Sequence, residues 1–264
     1  MDYIKNLEEV VDATVQGART KVQRSWMKVW VAAMLAGVYI AMGGVLSVLV
    51  GYGFPGATEG NPILSRLLSG AFFPLGLILV VFLGAELFTG NNATLIPATM
   101  RGEIPRWYFL KNWLAVYLGN FIGALFFVYF FVHLPGLLAV SPWKEAIMAM
   151  AEKKVSLPFG EAFLRGVGAN WFVCLAVWLG TASRTAMGRM FGLWIPVMAF
   201  VTMGFEHSIA NMFFIPAGMF EGANVTVGQF VLNNLLPATL GNIVGGAIFV
   251  GLVYWWLTRR AAHA

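Results

Sequence analysis

Six long apolar stretches constrain this chain more than any other feature of its sequence. A helix needs about 20 consecutive apolar residues to cross the hydrocarbon core of a bilayer. Only 11% of the 264 residues are charged and 59% are hydrophobic, whereas a soluble domain carries about 25% charged residues. The composition excludes a soluble fold and predicts an all-α membrane protein with six transmembrane helices. The predicted stretches cover residues 29–51, 68–100, 107–131, 159–179, 190–216 and 230–257.

The basic residues indicate how the chain is oriented in the membrane. Six crossings place both termini on one side, and most of the 17 Lys and Arg residues fall on that side. Because Lys and Arg are enriched in cytoplasmic loops, we predict that both termini are cytoplasmic and that the protein lies in the cell (inner) membrane. The formal charge of +5 is then explained by orientation and indicates no nucleic-acid partner.

The chain divides into three segments. Residues 1–28 carry apolar residues at helical spacing together with acidic residues that a signal peptide would lack. They predict an amphipathic helix on the cytoplasmic surface, with a docking or a gating role. Residues 29–257 form the six-helix transmembrane domain, and residues 258–264 form a cytoplasmic tail.

Two parts of the chain repeat the same polar pattern. Glu86 precedes Asn91 by five residues, and Glu206 precedes Asn211 by the same interval. After each pair comes an Asn that is followed seven residues later by Gly-Asn. Each repeat holds three spans, so the second copy must cross the membrane in the opposite sense. Such inverted repeats are typical of channels and transporters.

The second and fifth spans carry polar residues where they should be most apolar. Non-helical backbone at that depth persists only where protein or a water-lined cavity satisfies it. We therefore predict two broken helices that meet near the centre, with Glu86, Glu206, Asn91 and Asn211 stabilising the breaks. The two acids would accept backbone N–H groups freed by the breaks, and proton transfer is the alternative role. Half-helix N-termini aimed at the centre would favour an anion.

His207 is the strongest single candidate for function. It is the one histidine of three that lies in mid-span, where an ionisable group is by default a functional candidate. The alternative is a neutral, hydrogen-bonded core histidine. The repeat predicts that Thr89 lies opposite His207. Cys174 is interpreted as a small buried apolar residue.

Other chemistry finds little support in the sequence. No HExxH or similar metal spacing occurs and there is one cysteine, so neither a metal nor a cofactor is expected. A membrane-embedded enzyme is the alternative class, but Ser208 is the one candidate nucleophile beside His207. A water or glycerol channel is disfavoured because the half-helix signature Asn-Pro-Ala is absent.

Charged residues also precede and begin the fourth span. Lys153 and Lys154 are assigned to an outer loop, either as solvated charges or as an attraction for anions at a pore mouth. Glu161 and Arg165, at helical spacing four, predict an ion pair at the start of the span.

Five motifs stand out in the sequence: Glu86-Leu-Phe-Thr-Gly, Lys111-Asn-Trp-Leu, Asn170 with Val173-Cys-Leu-Ala-Val-Trp178, Phe205-Glu-His-Ser-Ile-Ala-Asn-Met212 and Thr239-Leu-Gly-Asn-Ile-Val-Gly-Gly246. Together they resemble the formate/nitrite transporter family, and the resemblance extends from about Trp30 to Trp256. The motif around Glu206 and His207 is highly specific. The chain is most similar to the formate-channel branch of that family.

The resemblance implies an aquaporin-like fold in a homopentamer with one pore per subunit. The implied substrates are protons and small anions, namely formate and, as alternatives, nitrite, hydrosulfide or lactate. By similarity, the pore residues are His207 and Thr89 at the centre, Lys154 (or Lys153) in the vestibule, and Asn170 and Asn242 at the pore or its mouth. The implied apolar constrictions are Phe73, Leu77 and Phe200 on the outer side and Leu87 and Phe88 on the inner side.

An apolar constriction favours a protonated substrate. Stripping an isolated carboxylate of water costs tens of kcal/mol. Protonating an acid with a pKa of about 4 at pH 7 costs only about 4 kcal/mol. We therefore predict that formate gains a proton, directly from His207 or through water, and crosses as the neutral acid. The alternative is an anion channel in which a cationic His207 lowers the barrier.

Overall fold

The structure is a computed structural model that describes residues 3–259. Within this range the chain is helical apart from short connections and one isolated β-bridge. Six helices are long and apolar enough to cross a membrane, as the sequence predicted. They cover Trp26–Tyr52, Ile63–Phe82, Arg106–His133, Phe159–Ala182, Ala186–Met203 and Gln229–Thr258.

Several spans are composed of more than one helix, and further helices lie between them. Three π-helical stretches, Val128–His133, Gln229–Leu235 and Val244–Leu252, occur in the third and sixth spans. The α-helices are α1 (Leu7–Val22), α2 (Trp26–Tyr52), α3 (Pro55–Thr58), α4 (Pro62–Phe72), α5 (Leu75–Phe82), α6 (Phe88–Thr94), α7 (Ile96–Met100), α8 (Arg106–Phe127), α9 (Trp143–Val155), α10 (Phe159–Ala182), α11 (Ala186–Met203), α12 (Ser208–Phe220), α13 (Leu236–Ile243) and α14 (Val253–Thr258).

The two ends of the described chain share one face of the molecule. Glu8 and Asp12 of α1 line the same cleft as Trp255 and Arg259 at the end of the sixth span. We name this side the terminal face and the opposite side the distal face. Residues 260–264, which make up most of the predicted tail, lie outside the described residues.

Helix α1 is tied to both halves of the chain on the terminal face. Its apolar stripe, which includes Val11, Val15 and Ala18, is buried. Asp12 pairs with Arg101 after α7 at 2.6 Å. Glu9 pairs with Arg184, which lies between the fourth and fifth spans, at 2.7 Å. The helix therefore connects loops from both repeats.

A second helix outside the spans, α9, occupies the corresponding place in the second repeat. Lys153 and Lys154 lie in this helix, so the prediction that they lie in an outer loop was wrong. The segment Trp143–Val155 is a helix whose Ile147 and Ala151 side chains are buried. Each inverted repeat thus begins with a helix that precedes its first span.

Both predicted helix breaks are present. α5 ends at Phe82 and α11 ends at Met203, and the glycines that follow them, Gly84 and Gly204, have positive φ angles of 69° and 76°. Glycine adopts this backbone conformation without the steric cost that a Cβ would bring. The chain then becomes helical again at Phe88 and at Ser208, where the half-helices α6 and α12 begin.

Close packing between α2 and α8 holds the first break in place. A Cβ on Gly123 would lie 1.9 Å from the Met34 carbonyl oxygen, and one on Gly37 would lie 2.1 Å from the Asn120 carbonyl oxygen. Small residues allow such backbone contact between membrane helices. The contact brings the Asn120 side chain next to the break in the second span.

Candidate functional site

The N-terminal ends of the two half-helices meet at one hydrogen bond. His207 Nε2 lies 2.8 Å from Thr89 Oγ1, and both residues are buried. His207 belongs to the second repeat and Thr89 to the first. The structure thus places the two residues opposite each other, as the repeat in the sequence predicted.

The hydrogen bonds of His207 also assign its tautomer. His207 is the N-cap of α12, and its Nδ1 accepts the Ala210 backbone N–H at 3.1 Å. Because Nδ1 is an acceptor, the proton of the neutral imidazole lies on Nε2, which donates to Thr89 Oγ1. A second proton on Nδ1 would break the cap and place a cation at the positive end of the helix dipole. The site therefore favours the neutral imidazole.

Glu206, next to this histidine, is held by three side chains. Its Oε1 accepts from Lys154 Nζ at 2.9 Å. Its Oε2 accepts from Asn211 Nδ2 at 2.7 Å and from Asn234 Nδ2 at 3.0 Å. Glu206 is buried, with 3% of its surface exposed. The prediction that this carboxylate accepts freed backbone N–H groups was wrong, because side chains from other helices reach it instead.

Glu86 has the equivalent environment at the first break. Lys21 Nζ, at 2.5 Å, and Asn91 Nδ2, at 2.8 Å, donate to its Oε2. Arg24 Nη1 donates to its Oε1 at 2.9 Å. Here too the donors to the carboxylate are side chains and not backbone N–H groups. Two cations face this carboxylate whereas one faces Glu206, so the two clusters differ in net charge.

Two further asparagines extend these clusters. Asn91 Nδ2 also donates to Asn112 Oδ1 at 2.8 Å, and Asn211 Nδ2 donates to Asn234 Oδ1 at 2.7 Å. All four side chains are buried. Asn112 and Asn234 are the asparagines that follow the two acid pairs in the repeated pattern, and their spacing alone predicted no role for them. Asn234 therefore links Glu206 directly to the sixth span, whereas Asn112 links Glu86 to the third span through Asn91.

The backbone freed at each break is satisfied by one asparagine. Asn242 Oδ1 accepts the Ser208 N–H at 2.8 Å, and its Nδ2 donates to the Gly166 and Glu206 carbonyls at 2.8 and 3.0 Å. Asn242 is fully buried and does not line either of the two cavities that meet at His207. The resemblance placed Asn242 at the pore or its mouth, whereas in the structure its side chain supports the helix break.

Asn170 is also buried behind the site. Its Nδ2 lies within 3.2 Å of three acceptors, the Thr89 carbonyl, Asn92 Oδ1 and the Asn242 carbonyl. It lines neither cavity at His207. Its contacts link the fourth span to the half-helix α6 and to α13 of the sixth span, so its place in the structure is a positioning one and not the pore surface or the pore mouth.

The lysines on the two acids occupy equivalent positions. Lys21 lies five residues before Trp26, where the first span begins, and Lys154 lies five residues before Phe159, where the fourth begins. Each lysine reaches the acid at the break of the following broken span. Lys21 and Arg24 were not among the site residues predicted from the sequence. The shared five-residue spacing is the signal that would have found Lys21.

A cavity of about 230 Å³ leads from the distal face to His207. Its wall contains four basic residues, Arg66, Lys153, Lys154 and Arg165. Arg165 pairs with Glu161, as predicted from their spacing, and Lys154 pairs with Glu206. The cavity is wide and polar enough to hold a hydrated anion.

Aromatic rings close this cavity at its inner end. Phe73 and Phe200 lie edge to face with ring centroids 6.1 Å apart, and Phe200 is 5.9 Å from the His207 ring. Beyond them is a second cavity of about 10 Å³, which Leu77 and Leu87 also line. A space of that size holds about one water molecule. Four of the five predicted constriction residues thus surround one narrow apolar passage.

Phe88 is the fifth residue predicted for the constriction, and it points elsewhere. Its ring packs against Tyr117 and Trp113, with centroids 4.9 and 6.4 Å apart. It does not line the small cavity beside His207. Within residues 3–259 no three His, Cys, Asp or Glu side chains come together in a group that could hold a metal ion.

The sequence matches a known family over nearly its whole length. A family model described as formate/nitrite transporter covers residues 8–256. The chain belongs to the formate/nitrite transporter family. It is 45% identical over 244 residues to a probable formate transporter of Methanothermobacter thermautotrophicus, an alignment that covers 87% of this chain and 88% of the relative.

Solved structures of this family have the same fold. One described as an FNT family ion channel matches 96% of this chain and 98% of its own, with a TM-score of 0.84 and 28% identity. A pentameric formate channel with formate bound matches 88% of this chain and 97% of its own, with a TM-score of 0.75 and 34% identity. This formate/nitrite transporter is therefore a multi-pass membrane transport protein and not an enzyme.

Proposed function

We propose that this transporter is a formate channel through which the substrate crosses the narrow passage as the neutral acid. One observation carries the proposal: the His207–Thr89 pair lies where a wide cationic cavity meets an apolar constriction. The descriptions of a relative and of a solved neighbour name formate, which supports the choice of substrate.

The two cavities explain why the charge state of the substrate changes. In the larger one, a formate ion keeps water and basic side chains around it. In the smaller one there is room for about one water molecule, so the ion would lose most of its hydration. Transfer of the bare ion costs tens of kcal/mol, and protonation at pH 7 costs about 4 kcal/mol. The neutral acid is the cheaper species at the constriction.

The cap on α12 supports one of two sources of the proton. A protonated His207 would lose the bond from the Ala210 N–H, so the imidazole stays neutral, and a neutral imidazole is a poor proton donor. A proton from bulk solvent, relayed by water in the larger cavity, is the source that this geometry favours. His207 Nε2–H and the Thr89 hydroxyl then act as hydrogen-bonding groups for formic acid as it passes. The same argument weighs against an anion channel with a cationic His207.

The assembly and the orientation belong to the same proposal. We propose a homopentamer with one pore per subunit, which the pentameric neighbour supports. We place it in the cell (inner) membrane with the terminal face in the cytoplasm, because most Lys and Arg residues lie there. The larger cavity would then open to the outside of the cell.

Substrate choice can be tested by counterflow in proteoliposomes. Formate, nitrite, hydrosulfide and lactate are compared side by side at equal concentration and pH. We expect formate to exchange fastest and empty liposomes to show only slow leakage. Faster exchange of one of the other three anions would assign that anion instead and would contradict the choice of formate.

The charge state is tested by measuring formate, protons and current together. Passage as formic acid brings one proton with each formate and produces no current. We expect His207→Asn to keep this behaviour, because Asn can accept the Ala210 N–H and still offer an N–H donor. His207→Phe offers neither group and should lose most flux. A formate current without proton uptake in the unmodified protein would overturn the neutral-acid route.

A further inference from the structure

The basic residues around the larger cavity fall into two classes. Lys154 and Arg165 form ion pairs with Glu206 and Glu161. Arg66 and Lys153 line the same cavity, and neither side chain forms an ion pair or a hydrogen bond with another residue of the described chain. Both are exposed at the distal face. The uncompensated charge of the cavity therefore lies at its mouth and not beside His207.

The positions of these two cations are suited to anion capture. Arg66 is on α4 and Lys153 is on α9, so the two charges come from separate elements of the wall. A lysine that is already paired with a carboxylate produces only a weak electrostatic field at a distance, because the two charges cancel. Two unpaired cations at the mouth of a low-dielectric cleft raise the local concentration of anions.

We propose that Arg66 and Lys153 are the residues that attract small monovalent anions to the outer mouth. Lys154 is paired with Glu206 and acts at the site itself, not at the mouth. The inference rests on the proposed function, since it concerns the first step of the same route. It adds Arg66, a residue to which no motif in the sequence drew attention, to the determinants of uptake.

The potential at the mouth can be measured without transport. Ser69 lines the cavity and is partly buried, and Cys174, the one native cysteine, is fully buried. A Ser69→Cys protein is treated with negatively and positively charged methanethiosulfonates, and the ratio of the two rates reports the local potential. We expect Arg66→Ala with Lys153→Ala to lower the ratio of anionic to cationic rates about tenfold at low salt. Lys144→Ala, on α9 but outside the cavity wall, should leave it unchanged.

Formate uptake by the same variants, with Ser69 restored, tests whether the positive potential at the mouth speeds the capture of formate. At an ionic strength of about 0.01 M we expect the double variant to take up formate about three- to tenfold more slowly than the unmodified protein. At about 1 M the difference should vanish, because the screening length there is only about 3 Å. Arg66→Lys should retain most of the rate.

The outcomes separate this inference from the proposed function. An unchanged rate ratio in the double variant, or an equal drop in Lys144→Ala, would overturn it whether or not formate moves. A lowered ratio with unchanged formate uptake would also overturn it, because the charges would then not serve capture. An unmodified protein that moves no formate would contradict the proposed function, and the thiol ratio would still decide whether Arg66 and Lys153 make the mouth attractive to anions.

Discussion

Asn120 and Asn242 make the same three hydrogen bonds at the two helix breaks. Each accepts the N–H of the residue that begins a half-helix, and each donates to the carbonyl of the preceding acid and to a carbonyl of a neighbouring span. In each case one side chain satisfies three buried backbone groups that water cannot reach. The two repeats therefore satisfy the backbone at their helix breaks in the same way.

We expect Asn242→Leu to destabilise the protein by about 2 kcal/mol or more, because three buried backbone groups lose their partner. Single hydrogen bonds within membranes contribute less than those in soluble proteins, about 0.6 kcal/mol on average, so the expected total for three bonds is modest. Thermal unfolding in detergent at a fixed scan rate measures the effect. Asn233→Leu is the matched control, since Asn233 is exposed and makes one long bond of 3.4 Å. Equal losses in the two variants would contradict this role of Asn242.

The two lysine–glutamate pairs should respond differently to the same substitution. Lys154→Met leaves Glu206 buried with no cation, which typically costs about 3–5 kcal/mol. Lys21→Met leaves Arg24 on Glu86, so the loss should be clearly smaller. We expect the unfolding temperature to fall further in Lys154→Met than in Lys21→Met. An equal fall would mean that Arg24 does not compensate.

A double substitution checks that charge is the cause. Lys154→Met combined with Glu206→Gln removes both charges and keeps an amide that Asn211 and Asn234 can still bind. We expect it to recover much of the stability lost in Lys154→Met alone. A double variant that is as unstable as the sum of its single variants would show that packing, and not the buried charge, sets the loss.

The fold could be predicted because its main determinants are local and periodic. Apolar length gave the six spans, and the intervals from Glu86 to Asn91 and from Glu206 to Asn211 gave the two breaks. Helix α9 was missed because its segment is rich in Lys and Glu, a composition that resembles a solvated loop. Its buried face is formed by a few small apolar residues, and this pattern is too weak to predict a helix without knowledge of what packs against it.

The hydrogen-bonding partners of the site residues were harder to predict than the site residues themselves. His207 and Thr89 followed from the repeat, but two of the three donors to Glu206, Lys154 and Asn234, come from elements that are distant in sequence. Nothing in the spacing along one span reports such contacts. The equivalence of Lys21 and Lys154 was readable, however, because each stands five residues before a span.

The cap formed by His207 predicts an order of stability among its substitutions. The side chain accepts the Ala210 N–H, and loss of an N-cap typically costs about 0.5–2 kcal/mol. We expect His207→Asn to unfold near the temperature of the unmodified protein, and His207→Leu to unfold several degrees lower. Ile209→Leu, two residues away and fully buried, is the control for repacking. Equal unfolding temperatures for His207→Asn and His207→Leu would show that the cap does not contribute to stability.

The contact between α2 and α8 predicts that Gly123 tolerates no side chain. The Cβ of alanine would lie 1.9 Å from the Met34 carbonyl oxygen, so the two helices would have to separate. We expect Gly123→Ala to lower the unfolding temperature and the yield of assembled protein. Gly17→Ala in α1 has open space around the new methyl group and should be neutral or slightly stabilising. The opposite ranking would contradict the close crossing.

The docking of α1 on the terminal face should weaken in acid. A hydrogen bond from the Asn6 backbone N–H, together with Arg184, holds the pKa of Glu9 below its ordinary value of 4.5. Because the pKa is lower in the docked state, the contribution of Glu9 is fully present above pH 4.5 and is lost as the pH falls through the depressed value. Hydrogen exchange of α1 in lipid nanodiscs, from pH 7 down to pH 4 and below, measures this after correction for the intrinsic rate. We expect Glu9→Gln to show weaker protection already at neutral pH and a smaller further loss in acid, whereas Glu8→Gln should follow the unmodified protein. Identical profiles for Glu9→Gln and the unmodified protein would exclude Glu9 as an anchor of the helix.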